Sequence, residues 1–245
     1  MASLGDMVAG IAHEVNTPIG LGITASTLLD DRLKAIKFAF NEKTLTSSQL
    51  KRFLVDGEEN IDIIYRNLDR AASLISNFKK VAVDQSNADI QEFDINSLLE
   101  EITLTLKAKI DKENVGLTIN CPNNLLIESK PSAISQILIN LMMNSIIHGF
   151  DHRSQGMITI SISYLSEQLH ISYQDNGIGI DEKIKSKVFD PFITTKRGSG
   201  GSGLGLHLVF NLVTQALNGH IAFESDHEQG TKFNITFPVT LVSTP

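Results

Sequence analysis

The sequence predicts an α+β protein of more than one domain: an antiparallel helical hairpin that forms a dimeric four-helix bundle, followed by an α/β sandwich. Three observations carry this reading. From Leu50 onward, apolar or small residues recur at Leu50, Leu54, Gly57, Ile61, Ile64, Leu68, Ala71, Ile75 and Phe78 in unbroken steps of four and three, the spacing of a heptad seam. Beyond the polar stretch DQSNADIQE, residues 84–92, the pattern changes to short alternating segments between helical ones. Late in the chain a glycine-rich run, GSGGSGLG, opens directly into an apolar helical pattern.

Taken in order, a weaker seam runs through Leu4, Val8, Ile11 and Val15, and Leu28, Leu29, Leu33, Ile36 and Phe40 continue it less regularly after Pro18. The stretch NEKTLTSS, residues 41–48, separates this helix from the second and offers Thr and Ser as N-caps. Two helices alone leave part of each apolar stripe in water, so a second copy of the hairpin is expected to complete the bundle as a homodimer. The hairpin domain is placed at 1–86, a linker at 87–92 and the second domain at 93–245. Within that second domain the sequence predicts a helix over 96–110, strands over 115–120 and 125–129, and a helix from Pro131 to about 148–150. Strands over 157–165 and 168–174 follow, joined by a tight turn at Ser166 and Glu167. A helix from Gly205 and two final strands, GHIAFES and GTKFNITFP, complete it. The sheet reads as antiparallel with helices on one face.

Composition narrows the function. A formal charge of −7 over 245 residues argues against a sequence-independent grip on nucleic acid or anionic lipid. Cys121 is the only cysteine, which excludes an intrachain disulfide and a cysteine-based zinc site. No apolar run approaches the roughly 18–20 residues that span a bilayer, so no membrane contact is expected within this stretch.

Four stretches carry chemistry. In GIAHEVNTPIG, residues 10–20, His13 lies about 200° round the helix from Ile11 and Val15 and so points away from the seam. Glu14 adjoins it, Thr17 follows one turn on, and Pro18 has no N–H for the Glu14 carbonyl, which loosens the helix there. An exposed neutral imidazole is a competent nucleophile at neutral pH. In QILINLMMNSIIHGF, Asn140, Asn144 and His148 fall at i, i+4 and i+8 on an otherwise apolar helix. A polar stripe there needs partners, and amide oxygens suit Mg²⁺ when phosphates complete its shell. In YQDNGIGID, Asp175 closes an apolar strand where its carboxylate could accept from an exocyclic amino group such as that of adenine, with Gly177 and Gly179 behind it. In FDPFITTKRGSGGSGLGLHLV, glycines opening a helix suit phosphate. GSGGSG also matches GxGxxG, but a polar ITTKR precedes it instead of a buried strand, so a dinucleotide fingerprint is not read here.

In this order the stretches resemble the catalytic half of a sensor histidine kinase of two-component signalling, with an ATP-binding domain of the type shared with gyrases, Hsp90 and MutL. GIAHEVNTPIG is similar to the H box, NLMMNSIIHGF to the N box, DNGIGI to the G1 box, FDPF to the F box and GSGLGL to the G2 box. The resemblance implies ATP and Mg²⁺ as cofactors, a response regulator receiver domain as partner, and the cytoplasmic portion of a larger sensor as the setting. It implies His13 as phosphoacceptor, Glu14 as its base and orienter, and Thr17 as positioning water when the regulator is dephosphorylated. Asn144 would hold Mg²⁺, with Asn140 and His148 close to the phosphates. Asp175 would hold the adenine amino group, supported through water by Thr231, in a pocket shaped by Gly177 and Gly179. Gly201, Gly203, Leu204 and Gly205 would close over the triphosphate, with Lys196 as a phosphate contact. Ile147 stands where the family often has a basic residue, a charge that His148 or Lys196 would supply. An ATP-driven clamp or chaperone of the same nucleotide-binding type is the alternative, but such proteins have no use for an exposed His-Glu pair on a dimerising hairpin. A degenerate scaffold is the other, against which the intact Asn144, Asp175 and glycines argue.

Overall fold

A computed structural model describes residues 4–83, 89–150, 155–195, 203–226 and 229–242, with side chains outside 4–9, 11 and 77–83. The chain divides into two compact units, Met1–Lys80 and Val81–Pro245.

The first unit is a hairpin of α1 (Leu4–Asn41) and α2 (Ser47–Val83). Helix α1 runs through Pro18 without ending, and Pro18 itself is buried. Its inward face is Pro18, Gly22, Ala25, Leu29, Arg32, Ile36 and Ala39, spaced in fours and threes. Of the expected seam Leu29 and Ile36 lie on this face, whereas Leu28, Leu33 and Phe40 are exposed. The rest of the face escaped the hydropathy pattern because glycine and alanine carry little apolar surface; what they provide is close approach, and a Cβ on Gly57 of α2 would lie 3.8 Å from Leu29 Cδ1. An ion pair from Arg32 to Asp56 at 2.6 Å ties the two helices. The seam read along α2 divides in two. Gly57 and Ala71, with Asn60 and Leu74, are buried, whereas Leu54, Ile61, Leu68 and Ile75, seven residues apart, are each more than half exposed. Thr46 caps α2, its hydroxyl accepting from the Gln49 backbone N–H while Gln49 Oε1 accepts from the Thr46 N–H, a capping box that fixes where α2 begins.

The second unit is built in the order β1 (Gln91–Asp94), α3 (Ile95–Lys112), β2 (Val115–Asn120), β3 (Leu126–Ser129), α4 (Pro131–Asn144), β4 (Gly156–Leu165), β5 (Gln168–Asp175), α5 (Glu182–Lys185), α6 (Gly205–Asn211), β6 (His220–Asp226), β7 (Gly230–Pro238) and β8 (Thr240–Leu241). A five-stranded sheet has the order β2-β4-β5-β7-β6, and a small sheet has the order β1-β3-β8. Two expectations are corrected. The main sheet is mixed, because β2 pairs parallel to β4 while its other pairs are antiparallel. Gln91 and Glu92, expected in the linker, belong to β1 and face Ser129 and Glu128 across the small sheet. Both side chains are exposed, so no apolar alternation marked the strand.

Period-two alternation along β4, β5 and β7 sends Ile158, Ile160, Ile162, Leu169, Ile171, Tyr173, Phe233, Ile235 and Phe237 inward. They meet Ile95, Leu98, Leu99 and Ile102 of α3 and Ile134, Ile137, Leu138 and Leu141 of α4 in one core. The opposite face carries Thr159, Ser161, Ser172, Asn234 and Thr236, which water can satisfy. The β4–β5 turn at Ser166 and Glu167 has φ of 52° and 62°, the left-handed pair that a two-residue hairpin requires.

Cys121 follows β2, where burial and then the Asp94 carboxylate push its thiol up to about 11. About one thiol in a thousand is therefore thiolate at pH 8, against about one in four for an unperturbed cysteine. Modification by a disulfide reagent at pH 8 is expected to be slow in the native protein and to accelerate at least tenfold in urea; equal rates would place Cys121 in open solvent.

Candidate functional site

The alternation that packs Tyr173 into the core also turns Asp175 inward, at the last residue of β5. A buried carboxylate must be satisfied, and three donors converge on it. The backbone N–H groups of Gly177 and Thr231 donate to Oδ1 at 2.9 and 3.1 Å, and Ser145 Oγ donates to Oδ2 at 2.6 Å. Ser145 Oγ lies 2.7 Å from the Tyr173 hydroxyl. Burial holds the Tyr173 phenol well above its ordinary value, opposed by the Ser145 hydrogen bond and reinforced by the Asp175 carboxylate. The phenol is thus a donor at neutral pH, and the protons run from Tyr173 to Ser145 to Asp175. A carboxylate has about four lone-pair directions. Three are taken, which leaves one on Oδ2 for an amino group.

Glycines shape the space around this carboxylate. A Cβ on Gly177 would lie 2.7 Å from the Gly149 carbonyl oxygen, and one on Gly179, at φ +79°, would lie 2.4 Å from the Asp226 carbonyl oxygen. Both positions exclude any larger side chain. Behind the loop, Ser225 Oγ accepts from the Ile180 N–H at 2.8 Å and meets Thr231 Oγ1 at 3.1 Å.

The sequence placed Asn140, Asn144 and His148 on one helical stripe. The structure keeps α-helical geometry only to Asn144, after which residues 145–149 form a π turn closed by the Phe150 N–H on the Ser145 carbonyl. One extra residue in that turn breaks the i+8 spacing to His148, while Ser145, its N–H still on the Leu141 carbonyl, reaches Asp175 from the end of α4. Asn140 Nδ2 donates to the Gln136 carbonyl at 2.7 Å, while the buried Nδ2 of Asn144 has no partner among the described residues. Gly205, the first residue of α6, lies over this pair, and a Cβ there would be 3.3 Å from Asn144 Oδ1 and 3.6 Å from Asn140 Oδ1. An N–H donor left without a partner among the described residues, under a residue that has no side chain, suits phosphate oxygens, and Asn144 Oδ1 beneath Gly205 is the atom that suits a hard cation. Leu204 is buried, and Gly203 has φ +67°. Lys196 and Gly201 lie outside the described residues.

In the other unit His13 is exposed, as its helical angle predicts. Glu14 is half-buried, and its carboxylate lies 3.9 Å from the Arg70 guanidinium of α2. Thr17 donates its hydroxyl to the His13 carbonyl at 3.1 Å. Sequence reasoning missed Arg70, Ser145 and Tyr173. For Ser145 and Tyr173 there was one usable signal, that a buried Asp at a strand end demands donors; nothing in the pattern of α2 singled out Arg70.

Residues 129–241 match the family described as histidine kinase-, DNA gyrase B-, and HSP90-like ATPase. The solved catalytic domain of histidine kinase ThkA is 31% identical, with 97% of that domain and 61% of this chain covered and a TM-score of 0.53. The chain belongs to the histidine kinase family. A second histidine kinase structure, ThkA in complex with response regulator protein TrrA, matches over 97% of this chain and 62% of its own, at 25% identity and a TM-score of 0.65. Sporulation kinase A of Bacillus subtilis is 28% identical over 96% of this chain, which spans only 34% of that kinase's length. The histidine kinase likeness therefore covers hairpin and sandwich alike. No helix among the described residues is long and apolar enough to cross a membrane.

Proposed function

We propose that this chain binds ATP in its second unit, autophosphorylates on His13 and passes the phosphoryl group to an aspartate of a response regulator receiver domain. The observation that carries the reading is the Asp175 carboxylate, buried and held by three donors with one acceptor direction left over. That is the arrangement an exocyclic amino group of adenine requires. Asn144, Asn140 and Gly205 then face the phosphates, with His148 beside them and Thr231 holding Asp175. Mg²⁺, which offsets charge on the phosphates when bound, fits Asn144 as its protein ligand.

Among the chain's own residues, His13 presents an exposed imidazole that attacks the γ-phosphorus in line, forming an N–P bond as the bond to the β-phosphate's bridging oxygen breaks and ADP leaves. Glu14, anchored by Arg70, orients the ring and takes its proton. Thr17, one turn on, is positioned to hold water during regulator dephosphorylation. The chain is expected to work as a homodimer in a cytoplasmic setting. Leu54, Ile61, Leu68 and Ile75 form a stripe on α2, each a little over half exposed, that a second hairpin would cover, each then contributing about 1–1.5 kcal/mol. Sedimentation should give twice the chain mass, and Ile61→Asp should shift it to the single-chain value; a wild type that sediments as one chain removes the dimer.

The test of the central reading is incubation with γ-labelled ATP and Mg²⁺, followed by acid and base. Label that acid releases and base preserves identifies phosphohistidine. Label stable in acid, or none beside demonstrable ATP binding, rejects autophosphorylation on His13.

A further inference from the structure

The Phe189 turn that follows α5 is pinned to α6 by a side chain outside the FDPF and GSGLGL segments. His207, in the first turn of α6, has Nδ1 2.8 Å from the Phe189 carbonyl oxygen and Nε2 3.0 Å from Asn211 Nδ2. A carbonyl oxygen only accepts, so Nδ1 carries the proton; the neutral ring then accepts at Nε2, and the Asn211 amide supplies that donor. Asn211 is buried, with its Oδ1 turned to Gln215 Nε2 at 3.5 Å. Two side chains on successive turns of α6 therefore hold one tautomer with its N–H aimed at the loop.

The other end of the Phe189 turn is anchored as tightly. The Phe192 N–H donates to the Gly203 carbonyl at 2.8 Å, and Phe192 has the uncommon φ of +67°. A Cβ on Gly203 would lie 2.5 Å from the Phe192 carbonyl carbon, so the two backbones are in direct contact. The Phe189 ring packs on Phe210 at 5.3 Å and edge-on to Phe223 at 5.7 Å, and Phe223 leads through Phe233 to Tyr173. The backbone hydrogen bond holds Gly203 just before α6, the aromatic row meets α6 at Phe210, and the His207 clasp alone acts on its first turn, where Gly205 lies against Asn140 and Asn144.

We propose that His207 is a positioning residue for nucleotide binding: by clasping the Phe189 carbonyl it holds Gly205 at its distance from the Asn144 amide. It rests on the ATP-binding reading above and goes beyond it, since His207 touches no nucleotide atom in this role. The backbone bond at Phe192 is independent of the side chain at 207, whereas the clasp depends on one N–H. An asparagine at 207 places its amide N–H where His Nδ1 stands and keeps the donor; a leucine keeps the bulk and loses it.

The experiment is MgATP titration of the whole chain as wild type, His207→Leu and His207→Asn, with thermal melts without nucleotide and the KM for ATP in autophosphorylation. His207→Leu should weaken binding and raise KM about five- to tenfold with kcat little changed, the loss of one positioning hydrogen bond. His207→Asn should return within about threefold of wild type. Nitrogen NMR of the wild type should show His207 protonated at Nδ1, which reports the clasp without nucleotide. A ring protonated at Nε2, unchanged affinity in His207→Leu, or equal losses in both variants would overturn the proposal. Should His207→Leu fail to fold, the Asn variant and the tautomer decide it. No binding by wild type would reject the ATP reading itself, and the role of His207 with it.

Discussion

His13→Gln is expected to abolish incorporation of label from γ-labelled ATP while leaving nucleotide affinity within about twofold of wild type. Glutamine retains hydrogen-bonding capacity on an exposed helical surface, so little stability should be lost. What disappears is the only group at that position able to form a phosphoramidate. Glu14 and Arg70 would remain in place, which separates loss of the nucleophile from loss of its surroundings. Persistent acid-labile phosphate on the variant would move the phosphoacceptor to another histidine and reject the assignment.

Asp175→Asn should raise the Kd for ATP by about a hundredfold or more at a small cost in stability. The asparagine Oδ1 can still accept from the Gly177 and Thr231 N–H groups. Its amide can donate to Ser145 Oγ, which then turns its own proton elsewhere. The fold is thus nearly satisfied, with a melting change worth about 1–2 kcal/mol. The pocket is not, because an N–H now meets the amino group of adenine, donor against donor. Asp175→Ala is the harsher variant: it orphans three donors and should cost about 3 kcal/mol or more. Unimpaired ATP binding by Asp175→Asn would show that this carboxylate is structural only.

Element order was legible because most elements show their period in hydropathy. The strands Val115–Asn120, Gly156–Leu165, Gln168–Asp175 and Gly230–Pro238 were read to within a residue. The tight turn was also visible, since Ser166 and Glu167 interrupt two alternating runs. Strand β1 was missed because its outward residues are polar, and β8 because two residues cannot display a period. The parallel pairing of β2 with β4 was invisible because alternation reports which face a residue takes and nothing of the neighbour's direction.

By itself the sequence determined which chemical groups are present and in what order: an imidazole turned away from its seam at His13, amides at Asn140 and Asn144, a carboxylate ending a strand at Asp175, and glycines where bulk is forbidden. Only the tertiary structure decided how they are held. It brought Ser145 to Asp175 across 30 residues and to Tyr173 across 28, Arg70 to Glu14 across the hairpin, and the Phe189 carbonyl to His207. The reason is that periodicity is a local property of the chain, whereas the partners of a buried polar group come from whichever elements packing brings alongside it.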